Sequence, residues 1–106
     1  MSANADGIQA LADPTRRAVF ELLRDGPRPV GEIAARLPVT RPAVSQHLRV
    51  LKDAGLVTER REGTRRLYRV DPAGVGGLRD YFDSFWADAL AAFKAAADAE
   101  AERKEA

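Results

Sequence analysis

The chain has no cysteine and a single histidine, His47, among its 106 residues. The missing thiols exclude disulfides, cysteine-based zinc fingers, iron–sulfur clusters and thiol nucleophiles. One histidine cannot build a multi-histidine metal centre within one chain. Long apolar stretches are also missing: no run approaches the roughly 18 residues that a membrane helix needs. Residues 1–7 show no basic stretch leading into an apolar one, so no secretory signal is expected. There is no glycine-rich phosphate loop and no nucleophile–base set, which argues against an enzyme. The expectation is a small cytoplasmic chain with no cofactor, no metal and no membrane partner.

The length suits one domain with a modest core. Apolar residues make up 45% and charged residues 31%, as in ordinary globular proteins. The net charge of +1 hides an uneven distribution. Residues 1–40 balance five basic against five acidic side chains. Residues 41–69 hold eight basic and three acidic, net +5, and residues 70–106 four basic and eight acidic, net −4. A basic middle of this kind is a localised electrostatic footprint, against the plainer reading of a mixed solvated surface.

The apolar pattern is helical at both ends and changes period between them. Ile8 and Leu11 precede Asp13-Pro14, a helix cap followed by a good first helical residue. Val19, Leu22 and Leu23 recur at helical spacing until Asp25-Gly26-Pro27. A short helix is expected over 30–37 and another over 41–54, capped by Thr40 and closed by Gly55. Val44, Leu48 and Leu51 share one face of the latter; Pro42, Gln46 and Arg49 lie opposite. Two helices joined by Pro38-Val39-Thr40 make a helix-turn-helix pattern. Residues 56–62 and 65–70 read as strands around a Gly63-Thr64 turn, a basic hairpin or wing. Asp71-Pro72 starts a last helix, expected to fray beyond about residue 99. The fold class is therefore mostly α with a small β-hairpin, in the order α-α-α-α-β-β-α. Residues 8–70 form the winged-helix body and 71–106 the terminal helix with its tail, in one domain.

A helix of this kind fits the DNA major groove, and its N-terminal residues reach base edges. Here those are Arg41, Pro42, Ser45, Gln46 and Arg49. Thr40 is either a plain cap or a cap that also meets phosphate. His47 is a phosphate or base contact, or a structural histidine at the helix seam. Arg60, Arg61, Arg65 and Arg66 bracket the wing tip and suit phosphates or the minor groove. Arg16 and Arg17 are either part of a capped helix start or backbone contacts. The last helix holds five of the seven aromatics: Tyr81, Phe82, Phe85, Trp86 and Phe93. A symmetric homodimer would cover them, with Ile8, Leu11, Leu78, Phe82, Phe85, Trp86, Ala89 and Phe93 at the interface. The alternatives are a stripe that packs on its own domain and an aromatic ligand pocket. The partners expected are double-stranded DNA, as an inverted-repeat operator, and a second copy of the chain. A winged helix used for protein–protein contact is the rival reading.

Four stretches carry a family resemblance. They are Leu11-Ala12-Asp13-Pro14-Thr15-Arg16-Arg17, the run from Val39 through Thr40-Arg41-Pro42-Ala43-Val44-Ser45-Gln46-His47-Leu48-Arg49 to Leu51, Ala54-Gly55-Leu56-Val57, and the wing Arg61-Glu62-Gly63-Thr64-Arg65-Arg66-Leu67-Tyr68. Over about residues 8–93 the chain resembles the ArsR/SmtB family of winged-helix repressors. The resemblance implies a dimer through the first and last helices, operator binding, and release by an inducer, often a metal. Metal sensors of the family carry a Cys-Val-Cys-Asp-Leu type motif where this chain has Pro29-Val30-Gly31-Glu32-Ile33. The family's other site pairs Asp with His on the last helix, where this chain offers Asp80, Asp83 and Asp88 without histidine. The resemblance is to a metal-independent branch, autoregulatory or answering an unknown effector.

Overall fold

In the computed structural model, which describes residues 3–105, five helices and three strands follow one another. Helices α1 (Ala3–Ala12) and α2 (Pro14–Glu21) are separated only by Asp13. Strand β1 (Arg28–Pro29) leads into α3 (Val30–Ala34) and α4 (Arg41–Asp53). The hairpin β2 (Val57–Glu62) and β3 (Arg65–Val70) precedes α5 (Pro72–Glu105).

The caps explain the boundaries. Asp13 Oδ1 accepts from the Arg16 amide at 2.9 Å, and Pro14 follows it. Thr40 Oγ1 accepts from the Ala43 amide at 3.2 Å and opens α4. The end of α4 is a Schellman turn: Leu56 N–H bonds Leu51 C=O and Gly55 N–H bonds Lys52 C=O, each at 3.0 Å. Gly55 sits there at φ +79°.

That Asp13 bond has a pH signature. The Arg16 amide holds the Asp13 carboxyl below its ordinary range; burial opposes this, and the Arg16 and His47 charges assist it. A carboxylate depressed by folding stabilises the fold above its unfolded pKa, and that contribution is lost as pH falls through the folded value. Asp13→Asn keeps a capping oxygen but no charge. Its melting temperature should lie below the parent's at pH 7, with the gap closing as pH falls below the ordinary aspartate range.

Val19, Leu23, Ile33, Val44, Leu48, Leu51, Leu56 and Val57 are fully buried and form one core under α2, α3 and α4. Strand β3 is central, in the order β1-β3-β2, both pairs antiparallel. Val57 pairs with Val70, Glu59 with Tyr68 and Arg61 with Arg66 on one face of the hairpin, which runs from core to tip.

Helix α2 ends at Glu21 and α4 at Asp53, both earlier than expected. The short β1 is additional, held by pairing with Leu67 and Tyr68 far along the chain. Helix α3 ends at Ala34 and passes into 3₁₀-like bonds from Arg36 to Ile33 and Leu37 to Ala34, ahead of Pro38. Leu56 belongs to the Schellman turn, so β2 begins at Val57. Helix α5 continues to Glu105 instead of fraying near residue 99.

Helix α5 makes the molecule long. Its axes measure 73 × 26 × 26 Å and its radius of gyration is 19.7 Å. A compact chain of this length would have a radius near 13 Å. The first turns of α5 pack on the body: Leu78 lies against Gly7 of α1, and Gly74 meets the backbone of Gly55 and Leu56. From Tyr81 onward every described residue is exposed.

Candidate nucleic-acid interface

One groove of about 830 Å³ lies between α4 and the wing. Arg41, Ser45, Arg49 and Lys52 line it from α4, Thr64, Arg65 and Arg66 from the wing, and Pro29, Val30 and Gly31 from the β1–α3 edge. Five cations face it, against Asp53 and Glu59. It is therefore a basic cleft bounded by a helix and a hairpin tip.

The local sequence explains which side chains reach it. Val44, Leu48 and Leu51 anchor one face of α4 in the core. The opposite face leaves Arg41, Pro42, Ser45, Gln46 and Arg49 exposed, and of these Arg41, Ser45 and Arg49 line the groove. Among the described residues, no hydrogen bond or ion pair occupies the side chains of Arg41, Gln46 or Arg49. Thr40 is engaged as the cap. His47 lies between the two faces and is half-buried, and its Nδ1 is buried without a hydrogen-bond partner.

The wing arginines divide. Arg60 pairs with Glu62 at 3.3 Å, and Arg66 approaches Glu59 at 3.8 Å. Arg61 and Arg65 have no ion-pair partner among the described residues. Arg61 stands directly opposite Arg66 across the strands, a like-charge pair that an anion between them would relieve. Glu59 also accepts from Lys52 Nζ at 2.6 Å. The Lys52 bond, then the Tyr68 hydroxyl, hold the Glu59 carboxyl below its ordinary range, while burial pushes the Tyr68 phenol up.

Arg16 and Arg17 are engaged within the chain. Their guanidinium groups turn back onto the end of α1: Arg16 Nε donates to Ala10 C=O at 2.6 Å and Arg17 Nη1 to Leu11 C=O at 3.3 Å. These cations satisfy helix-end carbonyls that would otherwise lack partners. Like Pro42, Gln46, Arg60 and Arg61, they stand outside the residues that line the groove.

The residues grouped as a dimer face also divide. Leu11 and Leu78 pack against the core of their own chain. Ile8 is 38% exposed, Phe82 and Phe85 56%, Trp86 65% and Phe93 73%. Ala89 is exposed beside them. Tyr81 meets Phe82 and Phe85 edge-on, with ring centroids 5.5 and 5.1 Å apart. The chain does not cover its own aromatic stripe.

Sequence reasoning missed Glu59, counting it only as one of three acids in a basic segment. The signal lay in the hairpin register, which sets it opposite Tyr68.

Comparison with known proteins places these features in context. A helix-turn-helix domain family matches residues 11–60. An HTH-type transcriptional regulator of Mycobacterium tuberculosis is 56% identical over 92 residues, covering 87% of this chain and 86% of that protein. The HTH-type transcriptional repressor SmtB of Mycobacterium tuberculosis is 44% identical over 70 residues, 66% of this chain and 52% of the repressor. The chain thus spans about half the length of that second relative. Among solved structures, the homodimeric winged helix-turn-helix DNA-binding domain of a possible ArsR-family regulator from Mycobacterium bovis superposes with a TM-score of 0.66. It is 34% identical, covering 81% of this chain and 80% of that one.

Proposed function

The chain belongs to the ArsR/SmtB family of winged helix-turn-helix transcriptional regulators, and from that premise we propose that it acts as a homodimeric, sequence-specific repressor. It is a DNA-binding regulator and not an enzyme. The observation that carries the finer reading is the basic groove between α4 and the wing.

In this reading α4 enters the major groove with Arg41, Pro42, Ser45, Gln46 and Arg49 toward the bases. Gln pairs bidentately with adenine and Arg with guanine, so these side chains select sequence. Arg60, Arg61, Arg65 and Arg66 follow the backbone, giving affinity and salt dependence but little sequence information. Thr40 holds the helix end, and its exposed hydroxyl is placed for a phosphate. His47 sits close enough to the reading face to contribute through its second ring nitrogen.

The dimer reading rests on α5. The chain exposes 7514 Å², about 1,700 Å² more than the roughly 5,800 Å² of a compact monomer of this mass. Covered on both copies, that excess amounts to about 3,400 Å², within the range of obligate homodimer interfaces rather than of standard ones. Pairing through Phe82, Phe85, Trp86, Ala89 and Phe93, with Ile8 at the margin, would cover the stripe. Two reading helices would then lie about one DNA turn, roughly 34 Å, apart, matched to an inverted-repeat operator.

Metal control through the family's usual positions does not suit these residues. Pro29 has no side-chain donor and Gly31 no side chain. The Arg41 guanidinium lies 3.7 Å from where a Gly31 side chain would begin, so a cation there would meet a positive charge. On α5, Asp83 already faces Arg79 at 3.6 Å. Repression that does not answer to metal at these positions follows from this reading.

The test is selection of bound fragments from the parent genome, followed by titration against salt. A dimer neutralising about six phosphates should show a log–log slope near −5. A flat response, or no fragment selected, favours the protein–protein reading instead. With an operator in hand, Arg49→Ala should cost about 1–3 kcal/mol and relax preference at one base position. Arg65→Ala should weaken selected and random DNA alike, with a slope shallower by about one.

A further inference from the structure

We propose that Glu59 is a specificity-determining residue of the groove: it ties the reading helix to the wing and withholds their cations from DNA of the wrong sequence. This rests on the DNA-binding reading above.

Three observations meet at this carboxylate. Its Oε1 accepts from Lys52 Nζ at 2.6 Å, and Lys52 stands in the last turn of α4. Its Oε2 lies 3.8 Å from Arg66 Nη1, and Tyr68 stands opposite it in register. The Glu59 side chain is only 24% exposed, whereas Lys52 is 48% and Arg66 61% exposed. One acid therefore holds one cation from the helix and another from the wing, inside a cleft that otherwise attracts phosphate.

The chemistry follows from how the two kinds of binding arise. Binding to random DNA is almost wholly electrostatic, and grows with each cation free to neutralise a phosphate. Lys52, engaged by Glu59, is not free, and the carboxylate itself repels a phosphate that enters the groove. Binding to the operator depends also on base contacts from Arg41, Gln46 and Arg49, which need the helix and wing at a fixed spacing. Glu59 lowers the first and supports the second, so its effect falls on their ratio.

Glu59→Gln keeps the shape and an acceptor oxygen but removes the charge. The probes are the selected operator fragment and a random-sequence duplex of about 30 base pairs, long enough for two half-sites. Random-duplex affinity should rise about fivefold at low salt, the scale on which one charge acts across a partly desolvated groove. The log–log salt slope should steepen by about 0.9 per protomer as Lys52 takes up a phosphate. Operator affinity should change less, so the ratio of the two falls. An unchanged or weaker random-duplex affinity, or an equal change on both duplexes, overturns the proposal.

The charge-neutral double variant Lys52→Met with Glu59→Gln gives an independent reading should the single variant fail to fold. Removing the pair together should leave random-duplex affinity no lower than in the parent. A loss as large as that of Arg65→Ala would mean that Lys52 already serves phosphates, which overturns the proposal. If the unaltered protein binds neither duplex, the DNA-binding reading itself falls, and this inference with it.

Discussion

Gly74→Ala should lower the stability of the domain by about 3 kcal/mol or more, the upper end of overpacking effects. A Cβ at that position would stand 1.9 Å from Gly55 C=O oxygen and 3.3 Å from Leu56 Cα. Both neighbours are backbone, and neither can rotate away. The contacted segment is the Schellman turn that ends α4, and Leu56 also accepts the Asp71 amide at 2.8 Å. Relief would need α5 to lift off the body or α4 to lose its C-terminal cap. Gly76→Ala is the internal control, because nothing lies within 4 Å of its Cβ position. There the ordinary preference of helices for alanine should stabilise by up to about 1 kcal/mol. Urea unfolding of both variants measures the contrast. Equal, small effects would show that the α4–α5 junction has slack.

The second large effect is expected at Phe85. The ring is 56% exposed, and its described aromatic contact is with Tyr81 on the same helix. Phe85→Glu should therefore leave the fold of a single chain nearly intact. If α5 is the dimer face, it places a charge in the middle of an apolar seam, where no partner compensates it. Light scattering should report a mass near 11.5 kDa instead of twice that value. Operator affinity should fall by about 100-fold or more, because one half-site alone loses the gain from linked binding. A variant that remains dimeric would move the interface away from α5.

The parts of the molecule that were legible beforehand are those set by neighbours in sequence. Thr40 before Arg41-Pro42 and Gly55 after Ala54 bound α4 through local hydrogen bonds, and a local pattern reveals them. The wing showed itself as a change of period from helix to strand. Strand β1 did not, because Arg28 and Pro29 form a strand only through partners at Tyr68 and Leu67. The hydrogen bonds of Arg16 and Arg17 were not legible for the same reason. Their engagement depends on α1 ending at Ala12, which places free carbonyls within their reach. At the groove, the exposed face of α4 could be read from helical spacing, whereas the Lys52–Glu59–Arg66 cluster needed three elements in their final positions.

The uncovered aromatic stripe of α5 bears on dosage as well as on shape. For a chain that must find a second copy before it spans two half-sites, the assembled fraction follows mass action. Below the dimer dissociation constant, the concentration of dimer rises as the square of the amount of chain. Promoter occupancy then climbs more steeply than a simple hyperbola, with no inducer and no change of conformation. If α5 pairs two copies and the pair represses, the hydrophobic surface left bare from Tyr81 to Phe93 would in this way set a threshold in expression level, below which the gene is read and above which it is silenced.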